Sequence, residues 1–369
     1  MHRSSLGLWF ITRYRDAEAV LRDRRLGRNF DRFLDLQIGT GPLRTMFSGM
    51  MLYHDPPDHT RLRGLVAKVF TPRVVASLQP FIEQLVDDLL DDAMARGSLD
   101  VIGDLAYPLP ALVICQLLGI PVEDRQTLRA YSRDLSAALD YMLTPDVIER
   151  ANRAAEASTE YLSRLVAERR RRPQQDLISM LIEAEEDGGR LSENEIVSTC
   201  MLLFGAGHET TTSVIGTSVL ALLQNQPQLD LLLKTPALLP HALDEFIRYD
   251  CPIHMAGRVA VERAQVAGHV IEPGDVTVII LAAANRDPER FPDPDRLDVR
   301  RPDNTPLSFG GGLRYCMGAA LAKVEAHAAL HALLGRCRDM RLATTTLQWR
   351  ETVVFRGLES LPITFRARS

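Results

Sequence analysis

Residues Phe309 to Gly318 read FGGGLRYCMG, and within this run Cys316 is the side chain of the chain best placed to serve as a metal-binding thiolate. Gly310, Gly311 and Gly312 open backbone conformations closed to other residues and allow close approach to a flat ligand. The run leads into AALAKVEAHAALHALL, a strong helical pattern. Amides at a helix N-terminus favour negative charge and lower the pKa of a thiol beside them. Thiolate on iron is one of the few ways in which proteins hold haem for cleavage of an O–O bond. A buried cysteine in a glycine-rich turn is the plainer reading, so the other chemistry-bearing residues must discriminate.

Three further groups bear on it. The stretch Ala206-Gly207-His208-Glu209-Thr210-Thr211 lies inside a long helical pattern. A glycine within a helix costs about 1 kcal/mol against alanine, so Gly205 and Gly207 need a reason: close packing, or room for a bulky planar group. Thr210 offers a hydroxyl there and Glu209 an acid, the pairing that general-acid proton delivery uses. Glu245 and Arg248 are three apart on one helical face, which on an exposed surface is worth under about 1 kcal/mol. His59 and Arg63 are spaced i, i+4, so both side chains can reach one anion.

The pattern Phe309-x-x-Gly312-x-Arg314-x-Cys316-x-Gly318 resembles, position for position, the haem-binding signature of the cytochrome P450 family. The resemblance extends from about Leu8 to the C-terminus. It implies haem b with Cys316 as the proximal iron ligand and Phe309, Gly310, Arg314 and Gly318 around it. Ala206 and Gly207 would flank the haem on the long helix, with Glu209 and Thr210 as the family's proton-delivering acid–alcohol pair. His59, Arg63, Arg258 and Arg314 match the positions that bind the haem propionates. Glu245 and Arg248 match a buried structural brace whose third member is an arginine from a later loop. Arg296, in Pro294-Asp295-Arg296-Leu297, fits the family's placement better than Arg290. The substrate pocket would be lined by Met201, Ala206, Ile253, Met255, Val353 and Val354.

By the same resemblance the fold is mostly α with a minor β region. Haem would lie between the long central helix and the helix after the cysteine loop. Residues 1–369 would form one catalytic domain, an α-rich lobe with a small β-rich lobe. Bacterial members usually carry a few dozen more residues before the first strand; here that N-terminal helix reads as missing or shortened. The implied activity is a monooxygenase that hydroxylates or epoxidises a lipophilic small molecule, as in secondary metabolism. No fused flavin or iron–sulfur segment is visible, so electrons would come from a separate ferredoxin and its NAD(P)H-linked reductase. Lys323 and Arg336 would belong to the docking patch, and the protein would act as a monomer. A peroxide-driven enzyme of the same fold is the alternative, and a non-oxygenating haem-binding module a more distant one.

The elements that must position these groups are mainly helical. Thr71-Pro72 caps and opens a helix to about Arg96. Others are predicted at Ala111–Leu118, Glu123–Leu139 and Asp146–Arg172. Residues Glu168 to Arg172 read as a solvated helix terminus, favoured by the dipole. Ser192-x-x-Glu195 is a capping box, and the pattern after it runs to about Gln224, roughly 50 Å of helix. Asp58 is a further candidate cap. Strands are predicted at Leu8–Thr12, Arg258–Val261, Gln265–Val270, Thr277–Leu281, Thr352–Phe355 and Leu361–Phe365. Ala284 to Pro306 is a long loop of the kind that usually has a function.

Composition narrows the rest. The 369 residues carry a net charge of -5 and 46% hydrophobic residues, enough for a large core and unlike a nucleic-acid binder. Five cysteines, odd in number and scattered without zinc-type pairing, fit a reducing cytoplasm. No apolar run is read as a membrane span and no signal peptide is evident.

Overall fold

The computed structural model describes residues 1–368 apart from 142, 184, 187 and 188. The chain forms two compact units, one of Met1–Leu26, Ser77–Pro110 and Glu209–Ser369, the other of Gly27–Ala76 and Ala111–His208.

The first unit carries most of the β structure; one short pair, Glu185–Glu186 with Gly189–Arg190, belongs to the second. Trp9–Ile11 pairs on one side with His2–Arg3 and on the other, in parallel, with Val276–Ile280, which pairs antiparallel with Met255–Ala260. Register places Thr277 opposite Arg258. Behind this sheet lies an apolar cluster containing Trp9, Ile11, Val20, Leu21, Ile279 and Phe291, so burial rather than length stabilises strands as short as these. A second sheet joins Cys337–Leu342, Pro362–Ala367 and Ser98–Asp100. Residues 265–270, predicted as one strand, are instead a hairpin of Ala264–Val266 with His269–Ile271. Ala267 and Gly268 turn it with φ of +49° and +80°, the paired positive values of a two-residue hairpin turn. Residues 352–355 contribute only an isolated bridge, Ile253 to Phe355.

The second unit is otherwise helical. Its helices include Asp58–Val69, Arg125–Ala137 and Pro145–Arg171. Asp58 is the first residue of its helix rather than its cap; Pro57 holds the cap position. Arg169, predicted in a solvated terminus, turns inward: it is 5% exposed, ion-paired with Asp176, and donates to the Gly119 carbonyl at 2.7 Å. Only its neighbours follow the bland reading, with Arg170 bonded to Glu193 on the surface.

One helix, Glu193–Gln224, belongs in part to each unit. The capping box closes as predicted, Glu195 N donating to Ser192 Oγ at 3.2 Å and Ser192 N to Glu195 Oε2 at 2.7 Å. Among the described residues one stretch, 101–118, is long and apolar enough to cross a membrane by length and composition, contrary to the sequence reading, but 78% of it is buried. A buried core segment explains such a pattern as well as a span does.

Candidate functional site

Cys316 is held out rather than in. It is exposed, whereas Cys115, Cys200, Cys251 and Cys337 are buried. Desolvation pushes the Cys200 thiol up to about 12 and those of Cys115, Cys251 and Cys337 to about 11, which disfavours the thiolate in all four. The loop that presents Cys316 is fixed by its glycines. Gly310 and Gly312 have φ of +71° and +62°, which glycine alone adopts without strain. A Cβ on Gly312 would also lie 3.1 Å from both the Leu21 carbonyl oxygen and the Arg22 Cα of the helix Tyr14–Arg22. Cys316 N donates to the Phe309 carbonyl at 2.9 Å, closing the loop, and Gly318 caps the helix Ala319–Arg336.

The stem of that loop is tied to the brace helix, Leu239–Tyr249. Leu307 N donates to Asn285 Oδ1 at 2.8 Å, Asn285 Nδ2 to Ser308 Oγ at 2.8 Å, and Ser308 Oγ to the Ile247 carbonyl at 2.9 Å. Arg248 Nη1 donates to the Asn285 carbonyl at 3.0 Å. Arg248 Nε and Nη2 donate to the two Glu245 oxygens at 2.7 and 2.9 Å, with both side chains fully buried.

The third member of the brace is Arg301, not Arg296. Arg301 Nε lies 3.2 and 3.1 Å from the Glu245 oxygens, and its Nη atoms donate to the carbonyls of Pro292, Asp293 and Arg296. The Arg296 side chain is 65% exposed and faces Asp298 at 3.6 Å. What Arg296 supplies is its carbonyl oxygen, accepting from both Arg248 and Arg301. The loop thus wraps its backbone acceptors around two guanidinium groups, and the arginine that enters is the one beyond the turn. Lys323 and Arg336, predicted in a docking patch, are engaged within the unit: Lys323 Nζ is 2.7 Å from Asp244 and Arg336 pairs with Asp87 and Asp91.

In the same unit Arg258 is 4% exposed and donates to the Gly257 carbonyl at 2.8 Å, while Arg314 is partly exposed two residues before the cysteine. In the second unit His59 is buried and Arg63 partly exposed, one turn apart on Asp58–Val69. On the long helix Ala206 is exposed and Gly207 and Thr210 partly so, amid largely buried neighbours; Ala206 and Thr210 share a face at i, i+4. Gly207 also serves packing, since a Cβ there would lie 3.3 Å from Ile114 Cδ1. Glu209 is buried and ion-paired with Arg350. His208 Nδ1 bonds the Phe204 carbonyl at 2.7 Å.

Of the predicted pocket residues, the structure draws Ile253 and Val354 together, His254 N donating to the Val354 carbonyl at 2.8 Å. Met255 is partly exposed and Val353 49% exposed. Met201, at 3% exposure, is packed away and presents no open face. Within the first unit, an exposed thiol on a rigid glycine loop with Arg258 and Arg314, cations suited to carboxylates, fits haem b.

The description "Cytochrome P450" is that of the family model matched by residues 7–232 and 226–339. The chain belongs to the cytochrome P450 family. It is 42% identical to cytochrome P450 107B1 of Saccharopolyspora erythraea, over 98% of this chain and 90% of that protein. Against the biotin biosynthesis cytochrome P450 of Bacillus subtilis the identity is 39%, over 97% of this chain and 90% of that one. A crystal structure of P450BioI in complex with hexadec-9Z-enoic acid ligated acyl carrier protein superposes with a TM-score of 0.94 at 38% identity, covering 99% of this chain and 95% of that one. As a P450 the protein binds haem b and is an oxidoreductase of the monooxygenase class.

Sequence reasoning missed several groups around these residues. Arg301 carried a signal, a second arginine a few residues beyond the P-x-R string. Arg350 carried none, being 141 residues from Glu209. Glu325 was also missed. It sits on the helix after the cysteine loop, 2% exposed, and burial holds its carboxyl well above the usual carboxylate range, against a hydrogen bond from Thr211 that lowers it. A raised folded-state pKa gives a stability contribution fully present below the unfolded value of about 4.3 and lost as pH rises through the folded value. Glu325→Gln should therefore flatten that loss: thermal melts should match the parent near about pH 5 and exceed it near about pH 9. Parallel melting curves for the two proteins across that range would contradict a neutral buried Glu325.

Proposed function

We propose that the chain is a monooxygenase that holds haem iron through Cys316, receives electrons from a separate ferredoxin-type partner, and hydroxylates a lipophilic substrate of the long-chain acyl type. The observation that supports this most directly is Cys316 itself, exposed on a glycine-fixed loop whose stem is bonded to a fully buried Glu245–Arg248 pair. When bound, haem b supplies dioxygen activation and the transfer of one oxygen atom to the substrate.

The chain's own residues hold the group and handle protons. Arg258 and Arg314, with His59 and Arg63, would bind the two propionates by charge-assisted hydrogen bonds. Thr210 presents a hydroxyl on the open strip of the long helix, and Glu209 is the acid one residue before it; together they would pass protons inward. Residues 1–369 would act as one catalytic domain. Exposed Leu313 and Tyr315 flank the cysteine and offer an apolar contact for the electron donor, in place of Lys323 and Arg336. The acyl reading draws on the apolar character of Ile253, Met255, Val353 and Val354 and on the ligand of the P450BioI complex.

A panel of lipophilic ligands, scored by the haem spin-state shift, tests the substrate class. Hexadec-9-enoic acid, free or linked to acyl carrier protein, should shift the spectrum and be hydroxylated in the presence of NAD(P)H, a ferredoxin and its reductase. Turnover with peroxide but none with the ferredoxin system would overturn the electron route. Shifts with steroids or macrolides and none with acyl chains would overturn the substrate class.

A further inference from the structure

The ion pair between Glu209 and Arg350 joins the long helix to the C-terminal segment, and that segment is built to keep Arg350 in place. Arg350 N donates to the Gly357 carbonyl at 2.9 Å, and Trp349 bridges to Leu358. Arg356 stacks its guanidinium 3.6 Å from the Trp349 ring centroid and bonds Asp250 Oδ1 at 2.7 Å. Gly357 packs closely here: a Cβ there would lie 2.6 Å from Ser213 Oγ and 3.5 Å from Arg350 Cδ. Ser213 Oγ in turn donates to the Glu209 carbonyl at 3.1 Å. The hairpin therefore packs against the same stretch of helix that carries Glu209.

Adjacent residues on a helix point about 100° apart and do not face one another. Glu209 and Thr210 are adjacent, so their side chains leave the helix in different directions, and the Glu209 carboxylate is engaged with Arg350. His208, its other neighbour, is engaged with the Phe204 carbonyl, and the charge that meets Glu209 from the hairpin is Arg350. With 9% of the Glu209 side chain exposed, little water screens the pair, and an opposite charge in contact favours the carboxylate over the acid. A carboxylate held as an ion pair delivers no proton.

We propose that Arg350 is a positioning residue that latches Glu209 in its charged form against the hairpin, so that proton delivery by Glu209 to Thr210 proceeds only when this ion pair opens. The idea rests on the proton-carrying role given to Glu209 above. It also gives the hairpin that carries Val353 and Val354 a second use: a substrate that moves this segment would move Arg350 and release the acid.

The test uses Arg350→Gln, Arg350→Lys and Glu209→Gln. Infrared titration of the resting protein, with Glu209→Gln as the subtraction control, reports Glu209 without turnover. Arg350→Gln should raise its titration by about one to three pH units, and Arg350→Lys should restore most of it. Dioxygen uptake with hexadec-9-enoic acid, NAD(P)H, a ferredoxin and its reductase reports the delivery step. Its solvent deuterium isotope effect should fall in Arg350→Gln and persist in Arg350→Lys. A Glu209 titration unmoved by Arg350→Gln overturns the latch. Slowed uptake in Glu209→Gln, with an isotope effect unchanged in Arg350→Gln, overturns the part given to Arg350 alone. Uptake in Glu209→Gln equal to that of the parent overturns the proton role of Glu209, and with it the functional half of the proposal.

Discussion

Arg301→Ala is expected to cost about 3–5 kcal/mol of folding stability, whereas Arg296→Ala should stay within about 0.5 kcal/mol. The contrast follows from where the two guanidinium groups are. Arg301 is 6% exposed and shares Glu245 with Arg248, while the Arg296 side chain is 65% exposed. Removing Arg301 leaves the Glu245 carboxylate buried with one cation instead of two. It also strands the carbonyls of Pro292 and Asp293, which accept from Arg301 Nη1 and Nη2. An unpaired buried polar group costs about 1–3 kcal/mol, more where charge is involved. Because Arg248 also donates to the Asn285 carbonyl, and Asn285 fixes Leu307 and Ser308, loss of the brace should loosen the cysteine loop as well. Denaturant melts of the holoenzyme, with haem retention followed in the same samples, separate the two arginines. Equal losses for Arg296→Ala and Arg301→Ala would show that the exposed side chain carries weight its geometry does not suggest.

Thr210→Ala should leave folding and haem content near those of the parent and lower product formation by about 10²-fold, the low end of what general acid–base groups contribute. Thr210 is partly exposed, on the strip it shares with Ala206 and Gly207. The buried neighbours Thr211, Thr212 and Ser213 are different in kind; Thr211, bonded to Glu325, belongs to the core. Dioxygen consumption should fall less than product, because electrons continue to arrive when protons are misdirected. Measuring both, in the same assay with an acyl substrate, gives the ratio. A product yield per dioxygen equal to that of the parent would remove Thr210 from proton delivery.

Much of this architecture is legible in the chain because its signals are local. The capping box at Ser192 fixes a helix start within one turn, and the Thr71-Pro72 pair does the same for Pro72–Arg96. Glycines in the FGGGLRYCMG run announce positive φ at Gly310 and Gly312, which is what the backbone shows. What stayed hidden is non-local or weakly punctuated. Ala267-Gly268 is a poor turn signal beside Asn-Gly, so a hairpin reads as one strand. Cys337–Leu342 and Ser98–Asp100 are strands only because Pro362–Ala367 lies between them. Choosing Arg301 over Arg296 requires knowing which side of a turn faces a buried carboxylate, and pairing Glu209 with Arg350 requires the tertiary fold itself.

The assignment of Cys316 as the thiolate on iron is tested most directly by the absorption spectrum of the reduced, carbon monoxide-bound protein. The parent should show the strongly red-shifted band of a thiolate-ligated haem. Cys316→Ala should abolish that band, with the four buried cysteines unable to replace the ligand. A red-shifted band persisting unchanged in Cys316→Ala would contradict the assignment.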